Sequence, residues 1–378
     1  MIVEITGVNT RNKGAELMLA AIQDRFARHH PEVQLAVDQW FGSYADRARY
    51  GLLQKMSVRR PGRSKMAVGL MPASFRRTFG LVADRDVDAV LDASGFAFGD
   101  QHPSERTLGF ARAVETWRQR GKPVILLPQA LGPFERPPVR AGFVRIASAA
   151  NLVFARDPVS LEHARKAVGA VGSLQLAPDF TPLVSQPGAH TSGDGETVYI
   201  VPNQRMVEKA GDVAAAAAYV PFVASCIACV EEAGLRPVFL LHGGDDAGLV
   251  RPINAQMGRD IAVVVEDDPL EIKRLLGQSV LVIGARFHAL VSALSQGVPC
   301  IATSWSHKYE MLFEDYACAD MVLSVASGKE AVQERVQRAV GPARPALVDR
   351  IRRRGERLVE QIHAMWGQVD RALGLADG

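Results

Sequence analysis

Short apolar runs recur along the chain, and stretches of helix length with one apolar face separate them. This alternation predicts βα units and a mostly parallel sheet covered on both faces. The clearest runs of the first half are IVEITG, VQLAVD, AVLDAS, PVILLPQ and NLVFAR, all before Asp157. A second series follows with TVYIVP, RPVFLLHG, DIAVVVED, SVLVIGAR and PCIATSW, separated by helical segments such as Pro269 to Gly277 and Ala289 to Gly297. Between the two series lies SQPGAHTSGDGE, Ser185 to Glu196, which has no apolar period and reads as a linker. The expected organisation is therefore an N-terminal Rossmann-like domain over 1–185 and a C-terminal one over 196–378, facing a shared cleft. The tail from Ala343 to Leu373 carries an apolar stripe of Val348, Ile351, Leu358, Ile362 and Met365, and is expected to form a helix that packs back on the body.

Composition narrows the partners. The 378 residues suit two α/β cores rather than one, and 44 Lys and Arg against 41 Asp and Glu leave no global field to favour nucleic acid. Any anion site has to be local. Four cysteines in this length are no disulfide framework, and Cys226 and Cys229 sit at helical spacing in an apolar stretch, which reads as core packing. Val213 to Val230 is uncharged and as long as a short membrane span, but its alanine run, Pro221 and Ser225 make it read as a buried helix. The opening MIVEITG is strand-like and not a leader, so the expected location is cytoplasmic. Val58 to Arg77 holds six basic residues and no acidic one around MAVGLMPASF, a pattern open to two readings, a solvated loop or contact with the inner face of an anionic membrane.

The strongest local signal is GARFHALVSALSQGVPCIATSWSHKYE. Arg286 and His288 follow an apolar strand and stand at a helix entrance, where main-chain amides favour an anion and a guanidinium can hold two oxygens. Lys308 comes after the next strand and returns to the same sheet edge. Arg156, after NLVFAR, has two readings: a further donor contact, or an ion pair with Asp157 or another carboxylate. Asn9, Lys13 and Glu16 lie in or after the first strand-to-helix loop and could hold sugar hydroxyls, although helix capping explains Asn9 and Asn12 as well. Gln129 in PQALGPF has the same two readings. HGGDD, His242 to Asp246, invites a metal, but adjacent loop residues rarely all point inward, so a turn and helix cap is expected and no metal.

Strand, G-x-R-x-H, helix, G-x-P, strand and a following lysine together resemble the C-terminal signature of the polysaccharide pyruvyl transferase family. NTRNKGAELMLAAI, LPQALGPF, ARDPVSLEHA and APDF resemble its earlier segments in the same order. Two places depart from the pattern: the glycine-rich turn is DASGFAFGD, with Ala93 and Ser94 ahead of Gly95, and Ala15 stands where an acidic residue is common. The resemblance implies a GT-B-like pair of Rossmann-like domains and phosphoenolpyruvate as donor, with no further cofactor. It also implies a sugar acceptor on a lipid, a nucleotide or a polymer, and a place for Arg286, His288 and Lys308 at the donor.

Reaction chemistry agrees with those positions. A ketal forms from an enol only after the methylene carbon gains a proton, and an imidazole titrating near 6.5 suits that step, so the expected acid is His288. Two other classes fit the same pattern. One is a glycosyltransferase of the same plan with a nucleotide-sugar diphosphate at the helix entrance, and the other a homologue that binds sugar or phosphate without turnover.

Overall fold

The computed structural model describes residues 1–56, 71–184, 193–208, 213–303 and 307–375. The chain forms two compact units. Unit 1 comprises Met1–Thr10, Met18–Phe180 and Gln361–Gly378, and unit 2 comprises Arg11–Leu17 and Thr181–Glu360. Most of the stretch read as a linker, 185–192, lies outside the described residues.

Among the described residues unit 1 holds eight parallel strands: β1 (Ile2–Thr6), β2 (Gln34–Asp38), β3 (Leu53–Met56), β4 (Leu81–Ala83), β5 (Ala89–Asp92), β6 (Val124–Gln129), β7 (Leu152–Ala155) and β8 (Leu174–Leu176). Their order is β4-β3-β2-β1-β5-β6-β7-β8. Unit 2 holds six: β9 (Thr197–Val201), β10 (Arg236–Leu241), β11 (Val263–Val265), β12 (Leu281–Gly284), β13 (Cys300–Thr303) and β14 (Val322–Leu323), in the order β11-β10-β9-β12-β13-β14. Both are doubly wound α/β sheets, as the alternating pattern predicts. The winding reverses between β1 and β5 and between β9 and β12. Such switch points open a crevice at the carboxyl ends of the strands, where ligands of open parallel sheets bind.

The central strands β5, β6, β9, β12 and β13 are buried at every position, which is why their sequences read as unbroken apolar runs. The close approach of β9 to β12 has a sequence cause. A Cβ on Gly284 would lie 2.7 Å from the Val201 carbonyl oxygen, so only glycine lets the two strands meet in register at this end.

The helix Val213–Glu232 is long and apolar enough to cross a membrane by composition. It is instead a helix of unit 2 whose Phe222, Val223, Cys226, Ile227, Cys229 and Val230 join the core, with both thiols pushed up by burial.

The final helix, Arg344–Leu373, is shared by the units and contributes its residues from Gln361 onward to unit 1. There Trp366, 1% exposed, sets its ring edge-on to Phe26 and Phe180 at 6.3 and 5.8 Å between centroids. Asp370 takes the Arg25 guanidinium beside it. This cluster ties the tail to unit 1 through ring burial, for which a full truncation costs about 3–5 kcal/mol. Trp366→Ala is therefore expected to lower unfolding stability by about that amount in denaturant titration. A loss under about 1 kcal/mol would show that the tail is not held by this ring.

Candidate active site

The site is built at the β9/β12 switch point of unit 2. A polar residue follows each strand there: Asn203 two residues after β9, His242 directly after β10, and Arg286 two residues after β12. Asn203 is buried and donates its Nδ2 to the Ala285 carbonyl at 2.6 Å, closing the two sides of the switch point together. Tyr309 donates its hydroxyl to the same carbonyl at 2.7 Å, and the main-chain N–H of Asn203 donates to Tyr219 Oη at 3.0 Å.

Arg286 is the N-cap residue of the helix Phe287–Leu294, with extended backbone. Its guanidinium engages Asp246 with two N–H groups, Nε to Oδ2 at 2.9 Å and Nη2 to Oδ1. Asp246 is fully buried and also accepts from the Gln204 N–H at 3.1 Å. Glycine at 243 leaves the room for this geometry. A Cβ there would fall 2.7 Å from Arg286 Nη2 and 3.1 Å from Asp246 Oδ2.

His288 lies in the first turn of the same helix and is half-buried. The ring rests against Gly14, where a Cβ would lie 2.4 Å from Nδ1. Gly14 opens the helix Lys13–His29, whose entrance Asn12 caps by accepting from the Gly14 N–H at 3.0 Å. Asn12 also forms an antiparallel bridge with Gly243. The segment Arg11–Leu17 thus brings Lys13 and Glu16 into the unit that holds Arg286 and His288. Lys13 donates to Glu16 at 2.9 Å and to the Asp267 carbonyl at 2.8 Å, and Glu16 is buried. Lys308 stands in the helix His307–Asp315 with its ammonium 5.8 Å from the Phe287 ring and 5.2 Å from that of Tyr309.

Sequence reasoning treated HGGDD as a turn and cap, and so passed over two members of this cluster. Asp246 is the carboxylate that accepts two hydrogen bonds from Arg286. His242 is 3% exposed, and its Nδ1 has no hydrogen-bond partner outside its own residue among the described residues. Burial above all, and then the charges of Arg286 and His288, push its imidazole down to about 3, so it stays neutral at working pH. The signal that would have found both is positional: HGGDD follows β10, and β10 neighbours β9 at the switch point. Among the described residues, no group of three or more His, Cys, Asp or Glu is arranged to hold a metal ion.

The remaining sequence candidates lie in unit 1. Arg156 is 5% exposed and pairs with Asp179 at 3.4 Å, and Asp157 caps the helix Pro158–Val168 by accepting from the Ser160 N–H at 2.7 Å. Gln129 is fully buried and donates Nε2 to Asp92 at 3.1 Å. Asp92 accepts as well from Thr6 Oγ1 at 2.9 Å and Ser94 Oγ at 2.8 Å, and burial raises its carboxyl above the ordinary range. Asn9 is half-buried beyond the end of β1. Of the basic stretch Val58 to Arg77, residues 58–70 lie outside the described residues; the helix Ala73–Thr78 carries Arg76 and Arg77 in its last turn.

His242 gives this site a signature in stability. Its folded pKa is depressed relative to the unfolded value near 6.5, so its neutral burial is fully tolerated above that pH and opposes folding as pH falls toward 3. The contribution reaches on the order of 4 kcal/mol at the acid end. His242→Gln is expected to flatten the stability profile below pH 6.5 relative to wild type in pH-dependent chemical unfolding. Parallel profiles over that window would show that His242 does not titrate with unfolding.

The chain matches the family model described as polysaccharide pyruvyl transferase over residues 12–307, a span that includes the Asn12 cap, the HGGDD loop and the Arg286–His288 turn. No match is found among curated proteins. Among solved structures, S. aureus MnaA with UDP is similar with a TM-score of 0.61 at 12% identity, over 99% of this chain and 97% of that one. The Neisseria meningitidis UDP-GlcNAc 2-epimerase bound to UDP-GlcNAc aligns over 98% of this chain and 100% of its own, with a TM-score of 0.60 and 10% identity. Anabaena HepE in complex with UDP and glucose gives 0.60 and 11% over 99% of both chains. At these identities the likeness is one of fold, and that fold is the GT-B-like pair of Rossmann-like units. With its motifs, its fold and most of its length matched, the chain belongs to the polysaccharide pyruvyl transferase family.

Proposed function

We propose that the chain moves the pyruvyl group of phosphoenolpyruvate onto two hydroxyls of a sugar, forming a ketal and releasing phosphate, in the synthesis of a cell-surface polysaccharide. The observation that supports this most is the pairing of Arg286 and His288 in one helix entrance, with Lys13, Lys308 and neutral His242 around it. The donor carries a phosphate and a carboxylate. The helix entrance offers main-chain N–H groups and the positive end of its dipole, and Arg286 offers the guanidinium edge that Asp246 does not occupy.

His288 is the proposed acid. Its proton goes to the methylene carbon of the donor, the double bond's electron pair forms the new C–H bond, and positive character develops at the adjacent carbon. A sugar hydroxyl attacks that carbon and loses its proton. The carbon–oxygen bond to phosphate then breaks, phosphate leaves with the bond's electron pair, and the second hydroxyl closes the ketal. The methyl keeps one new proton, phosphate carries off one, and the two hydroxyls have supplied two. His288 is thereby returned to its starting state, and no metal is required by these steps.

On this reading Lys13 and Glu16 act beside the donor and not on a distant acceptor surface, because the Arg11–Leu17 segment belongs to the unit that holds Arg286. Phosphoenolpyruvate is a cytoplasmic metabolite, which supports a cytoplasmic site of action. The structural neighbours hold UDP or UDP-sugars, and this supports a nucleotide-linked sugar as an acceptor to try first.

Two measurements check these roles. Arg286→Ala is expected to weaken phosphoenolpyruvate binding tenfold to a hundredfold, about what a charged two-point contact contributes, in calorimetric titration. Saturable binding of a nucleotide sugar with none of phosphoenolpyruvate would move the reading to a glycosyltransferase. His288→Ala is expected to bind the donor and to turn over roughly a hundredfold to ten-thousandfold more slowly in a phosphate-release assay. Near-normal turnover would remove His288 as the acid.

A further inference from the structure

Within this donor reading, we infer that Asp246 is a positioning residue that sets the angle of the Arg286 guanidinium toward the bound anion, acting by orientation and not by charge. Three features of the loop Gly243–Asp246 argue for it. The carboxylate is fully buried, so the contact with Arg286 is not a mobile surface pair. It meets Nε and Nη2, a two-point contact that fixes the plane of the guanidinium as a single contact does not. It is itself held, through the Gln204 N–H at 3.1 Å and its own N–H donated to the Gly243 carbonyl at 3.0 Å.

The electrostatics of this arrangement are the reverse of what a charge-collecting site would choose. Asp246 cancels the charge of Arg286, Glu16 offsets that of Lys13 at 2.9 Å, and His242 is uncharged. Long-range attraction for an anion is given up, and two fixed N–H vectors are gained. A side chain as flexible as arginine loses rotamer freedom when it closes on a ligand; holding it beforehand removes that cost from binding. Gly243 is the second part of the device, since its missing Cβ leaves room for the guanidinium.

The two roles differ in sign. Asp246→Asn adds one positive charge to the site while keeping the size of the side chain. If Asp246 acted only through its charge, this variant would bind phosphoenolpyruvate more tightly. If it orients Arg286, binding weakens even though the net charge favours the anion. The test is calorimetric titration of phosphoenolpyruvate into wild type, Asp246→Asn and Gly243→Ala, each first compared for melting temperature and circular dichroism. We expect a loss of tenfold or more in both variants and a weaker dependence of affinity on salt for wild type than for Asp246→Asn. Equal or tighter binding by Asp246→Asn overturns the inference. Should that variant fail to fold, Gly243→Ala decides alone, because it keeps the charge of the carboxylate while its added methyl crowds Arg286 Nη2 at 2.7 Å and Asp246 Oδ2 at 3.1 Å; unchanged affinity there is equally fatal. If wild type takes no phosphoenolpyruvate, the donor reading has failed on its own, and the same three proteins titrated with UDP test Asp246 independently, with the same signs.

Discussion

A largely buried guanidinium is stable only where its N–H groups are paired, and the β9/β12 edge of unit 2 is arranged around that demand at Arg286, whose side chain is 16% exposed. Asp246 meets it with two hydrogen bonds. To do so the chain needs glycine at 243, and a loop after β10 short enough to return its carboxylate toward the neighbouring strands. It also needs β9 and β12 close enough for Asn203 to reach the Ala285 carbonyl, which Gly284 permits. Each of these is a local steric fact, and together they leave one guanidinium edge directed away from its carboxylate. Removing the carboxylate alone would leave a buried charge without its partner, which is why the pair has to be considered as one unit.

The same loop connects the pair to the rest of the site. Gly243 bridges to Asn12, Asn12 caps the helix that Gly14 opens, and Gly14 is the flat surface on which His288 rests. A side chain at 14 or 243 would therefore displace a neighbouring imidazole or guanidinium and not merely crowd a loop. His242 is kept neutral by burial and by its cationic neighbours.

Much of this could be read in the sequence. Strands β5, β6, β9, β12 and β13 are buried at every position and mostly apolar because both faces are covered, and their runs stood out. The short strands β3, β4, β8 and β14 did not, since two to four residues with mixed burial carry too little periodicity. Arg286 and His288 were legible because residue type and helix entrance coincide. Asp246 and His242 were not, for their importance comes from β10 lying beside β9, a long-range pairing that no local pattern encodes. Arg156 could be read two ways in sequence, and the carboxylate it meets is Asp179, twenty-three residues on and invisible to spacing arguments. Lys13 and Glu16 read as candidate sugar contacts by their place in the first loop, and that they share a unit with Arg286 is a long-range fact the loop does not encode.

The central claim is that a pyruvyl group, not a glycosyl group, is transferred. The most direct measurement is a reaction run in deuterium oxide with phosphoenolpyruvate and a panel of nucleotide-linked sugars, followed by phosphorus and proton magnetic resonance. Protonation of the donor's methylene carbon by an exchanged His288 should release inorganic phosphate in equal amount to a ketal whose methyl group carries one deuterium. Release of a nucleotide with phosphoenolpyruvate left intact would contradict the claim and make this member of the family a glycosyl transferase.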